Sequence, residues 1–339
     1  MVLHRVRPHL ARQRGLITRS QLVYAGLTPL EIRRLLRTGS LVRIQYGVYA
    51  DGDLWQELDP WRGRPLLAAR AATYVLRCDG YAFSHDSAAL AWKLPLPDAR
   101  TALTHVSRRK VHGDAVRNGV KHHLAPFGTD QVRHLEGLRV LDLPRTALDL
   151  GREHGLLACV AACDAVLSRG VTRRRLSETL ARMWCWPQST VMREAIELAD
   201  GGAESWLESE GRLFVIGLGI GRPRTQLGLT DGSRTVFVDA IVGRHVFEFD
   251  GAVKYTADNP SGRPPAEVLR EEKVRQDFIS GFKLGVSRVT AHDCRAGRAA
   301  AERRVMREYV DTCHRFGTDR SDLAPYVVTA AADGLRRRL

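Results

Sequence analysis

The chain has 339 residues, 44% of them apolar and 27% charged, a size and balance expected of a globular protein of two or three domains. Collagen-like, disordered and membrane-spanning classes are excluded: no run reaches the ~18 uncharged apolar residues that a membrane helix needs. The N-terminus MVLHRVRPHLARQRG has no apolar core of a secretory signal, so a cytoplasmic location is expected. Net charge is +14, from 52 Lys and Arg against 38 Asp and Glu, the electrostatic footprint of a nucleic-acid binder. Only six of the 52 are lysine (Lys93, Lys110, Lys121, Lys254, Lys273, Lys283). That arginine skew also follows from GC-rich codon usage, so the placement of charge counts for more than its sum. Residues 1–43 hold nine arginines and one acid, Glu31. The six cysteines are scattered without a C-x-x-C pair, which fits a reducing compartment and neither a zinc ribbon nor a disulfide framework. Cys159 and Cys163, in the apolar run LLACVAACDAVL, read as buried packing.

In chain order, Arg7–Arg14 reads as a helix stopped by Gly15, and Ser20–Tyr24 as a second stopped at Ala25-Gly26. Thr28-Pro29-Leu30-Glu31 combines a capping hydroxyl, proline at the first helical position and Glu three residues on. The helix it opens runs to about Arg37, with Ile32, Leu35 and Leu36 on one face and Arg33, Arg34 and Arg37 on the other. Leu41–Ile44 and Gly47–Ala50 follow as short strands around a Gln45-Tyr46 turn. Helix, helix, arginine-faced helix and hairpin is the order of a winged helix-turn-helix, whose third helix enters the major groove while the wing rests on phosphates. A small helical cap with solvated arginines is the alternative. The DNA-binding candidates are Arg19, Arg33, Arg34, Arg37 and Arg43. The segment GLITRSQLVYAGLTPLEIRRLLRTGSLVRIQYGVYA resembles the N-terminal domain of the AbiEi antitoxins of type IV toxin–antitoxin systems. The resemblance implies binding to promoter DNA and a possible cognate toxin as partner.

In the middle, Pro65–Arg77 reads as an Ala/Leu-rich helix, and Ser84-His85-Asp86 opens another, HDSAALAWKL, halted by Pro95 and Pro97. His85 and Asp86 read as a packed imidazole and a cap in preference to an acid/base pair. Ala102–Val106 and Val120–Leu124 read as strands, and His122 and His123 fall on opposite faces of the second, so they cannot share one metal. Val140–Leu143 leads into a helix over Pro144–Gly151, and Leu156–Leu167 is a buried helix. LRVLDLPRTALDLGREHG is similar to the region that follows the sensor domain in the same antitoxin family. No chemistry is expected of this middle region. Thr172–Arg175 starts a linker-like helix whose arginines read as a solvated face, as does Arg336–Arg338 at the tail.

Residues 201–255 are the most informative. A helix is expected to carry Glu204 and Glu208 one turn apart on one face. Asp231-Gly232 and Gly243-Arg244 are hairpin turn signals. If Val242 pairs with His245 across the second turn, Asp239 stands opposite Glu248, and Asp250 joins Glu248 on that face two residues on. Val238, Phe247 and Phe249 are then expected together on the apolar face. Opposed, half-buried carboxylates are costly unless neutralised, and the simplest neutraliser is an oxygen-preferring divalent cation, Mg²⁺ or Mn²⁺. An exposed edge with solvated acids is the alternative, although VFVDAIV and HVFEFD are too apolar to face water on both sides.

Helix with Glu, strand with Asp, strand with Glu-x-Asp-Gly, then a basic residue and a later helix resembles the PD-(D/E)XK nucleases, most closely the branch of very-short-patch-repair endonucleases. The matching residues are Val238-Asp239-Ala240 and Glu248-Phe249-Asp250-Gly251-Ala252-Val253-Lys254, together with VLREEKVRQDFISGFKLGVSRVTAHDC. By that resemblance Asp239 and Glu248 hold the metal, with Glu204 or Glu208 as a further ligand, and metal-activated water attacks a phosphodiester. Asp250 stands where the superfamily usually has Lys, which leaves that role to Lys254 or to Gln276, the latter also a DNA contact. The expected fold is α/β (α+β overall). Its expected domains are a winged helix (1–50), an α+β middle (51–170), a helical linker (171–200) and a restriction-endonuclease-like mixed sheet flanked by helices (201–339). The expected function is a Mg²⁺-dependent endonuclease acting on double-stranded DNA. The alternative is an AbiEi-type antitoxin or repressor with an inactive nuclease-like domain. Nothing resembles an RNA module, and no membrane association is expected.

Overall fold

A computed structural model describes residues 3–76, 80–97, 103–109, 115–250 and 265–329. The chain is of mixed α/β class, with three sheets among the described residues. It divides into two compact units, Met1–Ala162 with Val171–Arg193, and Cys163–Gly170 with Glu194–Leu339.

The first unit opens with α1 (Arg7–Arg12), β1 (Leu16–Thr18), α2 (Arg19–Tyr24), α3 (Pro29–Arg37), β2 (Leu41–Gln45) and β3 (Val48–Asp51). Helices α2 and α3 begin alike: the hydroxyls of Thr18 and Thr28 accept the amides of Gln21 and Glu31, whose side chains accept the threonine amides in return. Each capping box satisfies two of the N–H groups a helix start leaves free. The strands pair antiparallel in the order β1-β3-β2. β1 went unread in the sequence because three residues show no alternation; it exists through its pairing with β3. Ile17, Leu22, Ile32, Leu35, Leu41 and Tyr49 belong to the core beneath.

The unit continues with α4 (Gly52–Glu57), α5 (Gly63–Thr73), β4 (Tyr81–Phe83), α6 (His85–Trp92), β5 (Thr104–Arg108), β6 (Ala115–Arg117), β7 (Val120–Leu124), β8 (Val132–Leu135), β9 (Leu138–Leu141), α7 (Leu143–His154), the start of α8 (Leu156–Leu167), α9 (Arg173–Ala181) and the start of α10 (Ser189–Leu198); the ends of α8 and α10, from Cys163 and Glu194, belong to the second unit. Six strands form a mixed sheet, β6-β7-β5-β4-β9-β8. Helix α5 ends at Thr73, short of the expected Arg77. Asp86 is no cap: its Oδ1 lies 2.7 Å from His154 Nε2, a pairing between distant elements that local spacing cannot reveal.

The second unit contains α11 (Trp206–Gly217), β10 (Arg224–Thr230), β11 (Thr235–Val242), β12 (His245–Asp250), α12 (Pro265–Gly281), β13 (Gly285–Thr290), α13 (Ala291–Cys294), α14 (Arg298–Phe316) and β14 (Val327–Thr329). The sheet order is β13-β12-β11-β10-β14, with β12 and β13 parallel and the other neighbours antiparallel. Val242 pairs with His245 and Ala240 with Phe247, the register expected from the Gly243-Arg244 turn; Gly243 has φ +55°, which glycine adopts without strain. Apolar clusters lie around the sheet: Phe214, Ala240, Phe247, Phe249, Val289 and Val305 in one, Leu227, Val238, Ile241, Val246 and Ile279 in the other. Val238 thus departs from its expected company with Phe247 and Phe249. The ladder between β10 and β11 pairs Thr225 with Ala240 and Leu227 with Val238 but skips Gln226, which sits at φ +52°. That local break interrupts the alternation of faces beside Asp239.

Candidate functional site

Two groups of residues singled out in the sequence have distinct surroundings. The first is the arginine face of α3. Burying Ile32 and Leu35 turns Arg33, Arg34 and Arg37 to solvent, and Arg19 and Arg43 are exposed as well. None of the five has an ion-pair partner among the described residues. Glu31, the one acid of this segment, is engaged by the cap: the Thr28 amide and hydroxyl hold its carboxyl below the usual carboxylate range. It is therefore turned toward the helix start and leaves the arginine face uniformly basic.

The second is a cavity of about 300 Å³ in the second unit, lined by Glu208, Asp239, Glu248, Asp250, Arg275 and Gln276 among others. Glu208 comes from the first turn of α11, Asp239 from β11, Glu248 and Asp250 from β12, and Arg275 and Gln276 from α12. The alternation of β12 aims Glu248 and Asp250 to the cavity side while Phe247 and Phe249 enter the core behind it.

Glu204 is not part of this arrangement. The helix starts at Trp206 because Ser205 caps it, accepting the Glu208 amide at 3.1 Å, so Glu204 lies outside the helix and shares no face with Glu208. The Ser-x-x-Glu spacing is a capping signature. Glu208 Oε2 accepts the Glu204 amide at 2.8 Å and Oε1 accepts the Ser205 hydroxyl at 2.9 Å. Burial nevertheless raises the pKa of Glu208, and the Asp239 charge adds to the rise.

Asp239 Oδ2 accepts the Phe249 amide at 2.8 Å, tying its carboxylate to the neighbouring strand. Glu248 is pushed up to about 7, first by burial and then by Asp239, against the opposing pull of Arg275. Arg275 Nη2 donates to both Glu248 oxygens, at 3.0 and 2.9 Å, and to the Phe237 carbonyl at 2.7 Å. Sequence reasoning missed this guanidinium. Its signal was present: Arg275 stands one helical turn before Ile279, which is buried and lines the same cavity. Exposed Gln276 stands at the rim. Lys254 lies outside the described residues.

The acids that line the cavity offer only carboxylate oxygens, the kind of donor that suits Mg²⁺ or Mn²⁺ over softer metals, but Glu208, Asp239 and Glu248 do not bring their oxygens within 4.8 Å of one another. Glu208 and Glu248 both hold protons more tightly than ordinary carboxylates, first through burial and then through the Asp239 charge.

Residues 4–50 match the family model described as "Transcriptional regulator, AbiEi antitoxin". The matched stretch contains α1 to α3 and the sheet β1-β3-β2 apart from its last residue, Asp51. All five candidate arginines fall inside it, and the carboxylate cavity falls outside it. No curated protein matches the chain. No helix among the described residues is long and apolar enough to cross a membrane.

Proposed function

We propose that the chain is a DNA-binding protein whose second unit hydrolyses DNA phosphodiesters with Mg²⁺ or Mn²⁺, at sites chosen by the arginine-faced N-terminal segment. One observation carries the reading: Glu208, Asp239 and Glu248, supplied by three separate elements, line one cavity, where burial and then the Asp239 charge raise the pKa of both glutamates. The order α11-β10-β11-β12-α12-β13 supports it, being the helix, strand and strand sequence on which the nuclease resemblance rests. The match of residues 4–50 to a transcriptional-regulator family supports the DNA-binding part.

Asp239 and Glu248 would hold the cation, with Glu208 completing an all-oxygen set. A cation bound there would supply Lewis-acid polarisation of the phosphoryl group and activation of water. Holding a cation would require Glu248 ionised and its bond to Arg275 broken. A guanidinium freed from Glu248 would suit a DNA phosphate oxygen, which a planar fork binds well. Gln276 at the rim offers an amide to the backbone, and Asp250 adds charge in the position where Lys is usual.

A second reading rests on the same contact. Arg275 already neutralises Glu248, and Asp250 occupies the usual lysine position, so the module can serve as a structural or partner-binding domain of a repressor. A cognate toxin is then the expected partner. Plasmid and short duplex DNA incubated with Mg²⁺ or Mn²⁺ separates the readings, with wild type beside Asp239→Ala and Glu248→Ala. Cutting by the wild type that both variants lose is the expected result. Tight duplex binding without cutting overturns the nuclease and favours the repressor.

A further inference from the structure

The first unit holds a polar cluster that none of the foregoing uses. His85 opens α6, His105 lies in β5 and His123 in β7, and all three are at most 1% exposed. Parallel pairing of β5 with β7 sets His105 opposite Lys121 and Ser107 opposite His123, so His105 and His123 sit on one sheet face, a step apart. One nitrogen of each of the three imidazoles lies within 4.8 Å of the others. From this geometry we propose that His85, His105 and His123 bind a divalent transition-metal ion of the Zn²⁺ type.

His105 Nδ1 and His123 Nε2 stand 3.1 Å apart. Two imidazole nitrogens at ~2.0–2.1 Å from a tetrahedral ion are about 3.3 Å apart, so this pair needs little adjustment. His85 Nδ1 lies 2.9 Å from the Ser84 hydroxyl. That outer hydrogen bond occupies Nδ1 and leaves Nε2 for ligation. A candidate fourth donor stands beside His85, outside the group of three: Asp149 Oδ1 is 3.9 Å from His85 Nε2, and Asp149 Oδ2 is buried with no hydrogen-bond partner among the described residues. Burial keeps His85 and His105 neutral, the form that ligates.

The surroundings limit the affinity without removing the site. Arg145 and Arg152 face Asp149 at 3.0 and 3.6 Å, and their charge opposes a cation. Asp86, paired with His154, and Glu153, paired with Lys121, favour one. His85 also stacks on His123, ring centres 3.8 Å apart, and ligation turns it out of that stack. Imidazole donors in a dry site select Zn²⁺, Co²⁺ or Ni²⁺ over Mg²⁺, which distinguishes this cluster from the carboxylate cavity.

The test uses the full chain, stripped with a chelator and titrated with Zn²⁺ and then Co²⁺. One equivalent of Zn²⁺ is expected to bind and raise the thermal midpoint, and Co²⁺ is expected to give the intense visible bands of a four- or five-coordinate site. His105→Gln and His123→Gln are expected to weaken binding by at least ~100-fold, beyond the ~10–100-fold that loss of an outer partner costs. His122→Gln, altering the neighbour on the opposite strand face, is expected to leave affinity unchanged, as is Asp239→Asn at the other cavity. Equal Zn²⁺ affinity in the histidine variants overturns the proposal. So does loss of the site in Asp239→Asn, or absence of saturable binding up to ~100 μM. Should His105→Gln or His123→Gln fail to fold by circular dichroism, the wild-type Co²⁺ spectrum decides, since only the weak bands of an octahedral ion refute the site.

Discussion

Replacing Glu248 with Gln tests whether the carboxylate cavity is as short of positive charge as its geometry says. Glu248 has 18% of its side chain exposed, and burial with Asp239 holds it at about 7 in place of an ordinary 4.5. That gap corresponds to ~3 kcal/mol between the folded and unfolded chain once the group is ionised. The sign follows from the protonated form being favoured on folding. Below pH ~4.5 both states carry the proton and no penalty exists; between ~4.5 and ~7 stability is progressively lost; above ~7 the loss is constant. Glu248→Gln keeps an acceptor for Arg275 and removes the ionisation, so it is expected to be more stable than wild type at pH 8 by up to ~3 kcal/mol, and by far less at pH 5. Urea denaturation at pH 5, 6, 7 and 8, followed by a signal from the second unit, measures the difference. Parallel stability curves for wild type and variant across that range would refute the account, because Glu248 would then titrate alike in both states.

Three further outcomes are expected. Arg33→Ala combined with Arg34→Ala weakens duplex binding and lowers the salt slope of log K by about 2, since each phosphate left without its arginine accounts for ~0.9; fluorescence anisotropy at several salt concentrations reads both. Gly211→Ala places a methyl 2.1 Å from Phe249 Cδ1. Overpacking of ~1–3 kcal/mol outweighs the helix preference of alanine, ~1 kcal/mol, so the thermal midpoint of the second unit falls. Asp164→Ala strips Arg212 of a buried carboxylate that it grips at 3.0 and 2.8 Å and that also accepts the Ser209 hydroxyl at 2.7 Å. An uncompensated buried guanidinium costs ~3–5 kcal/mol, visible as a lower urea midpoint, whereas an unchanged midpoint contradicts the burial.

Much of this was legible in the chain, for local reasons. Thr28-Pro29-Leu30-Glu31 sets the start of α3 through bonds within four residues, and the Gly243-Arg244 turn dictates the register of β11 with β12. The gathering of Glu208, Asp239, Glu248 and Asp250 follows from strand alternation and one helix turn. What stayed hidden depends on pairing across distance. β1, β4, β6 and β8 are three or four residues long and exist only beside their partners. Glu204 looked helical because the Ser205-to-Glu208 spacing serves a cap as readily as a helix face. Val238 was misplaced because nothing in its neighbourhood announces the break at Gln226. The three histidines are 18 or more positions apart, and only the parallel register of β5 with β7 and the start of α6 unite them.

The bond from the Phe249 amide to Asp239 Oδ2 has an evolutionary corollary. An asparagine at position 239 presents the same acceptor oxygen to that amide while carrying no charge, and the two residues' codons differ by a single nucleotide. A lineage of this chain is therefore one mutation from a protein that keeps its hairpin, its cavity walls and its arginine-faced segment but lacks one of the carboxylates proposed to hold a cation. Under the proposed function, selection would move between a cutting and a merely binding form without first passing through an unfolded one.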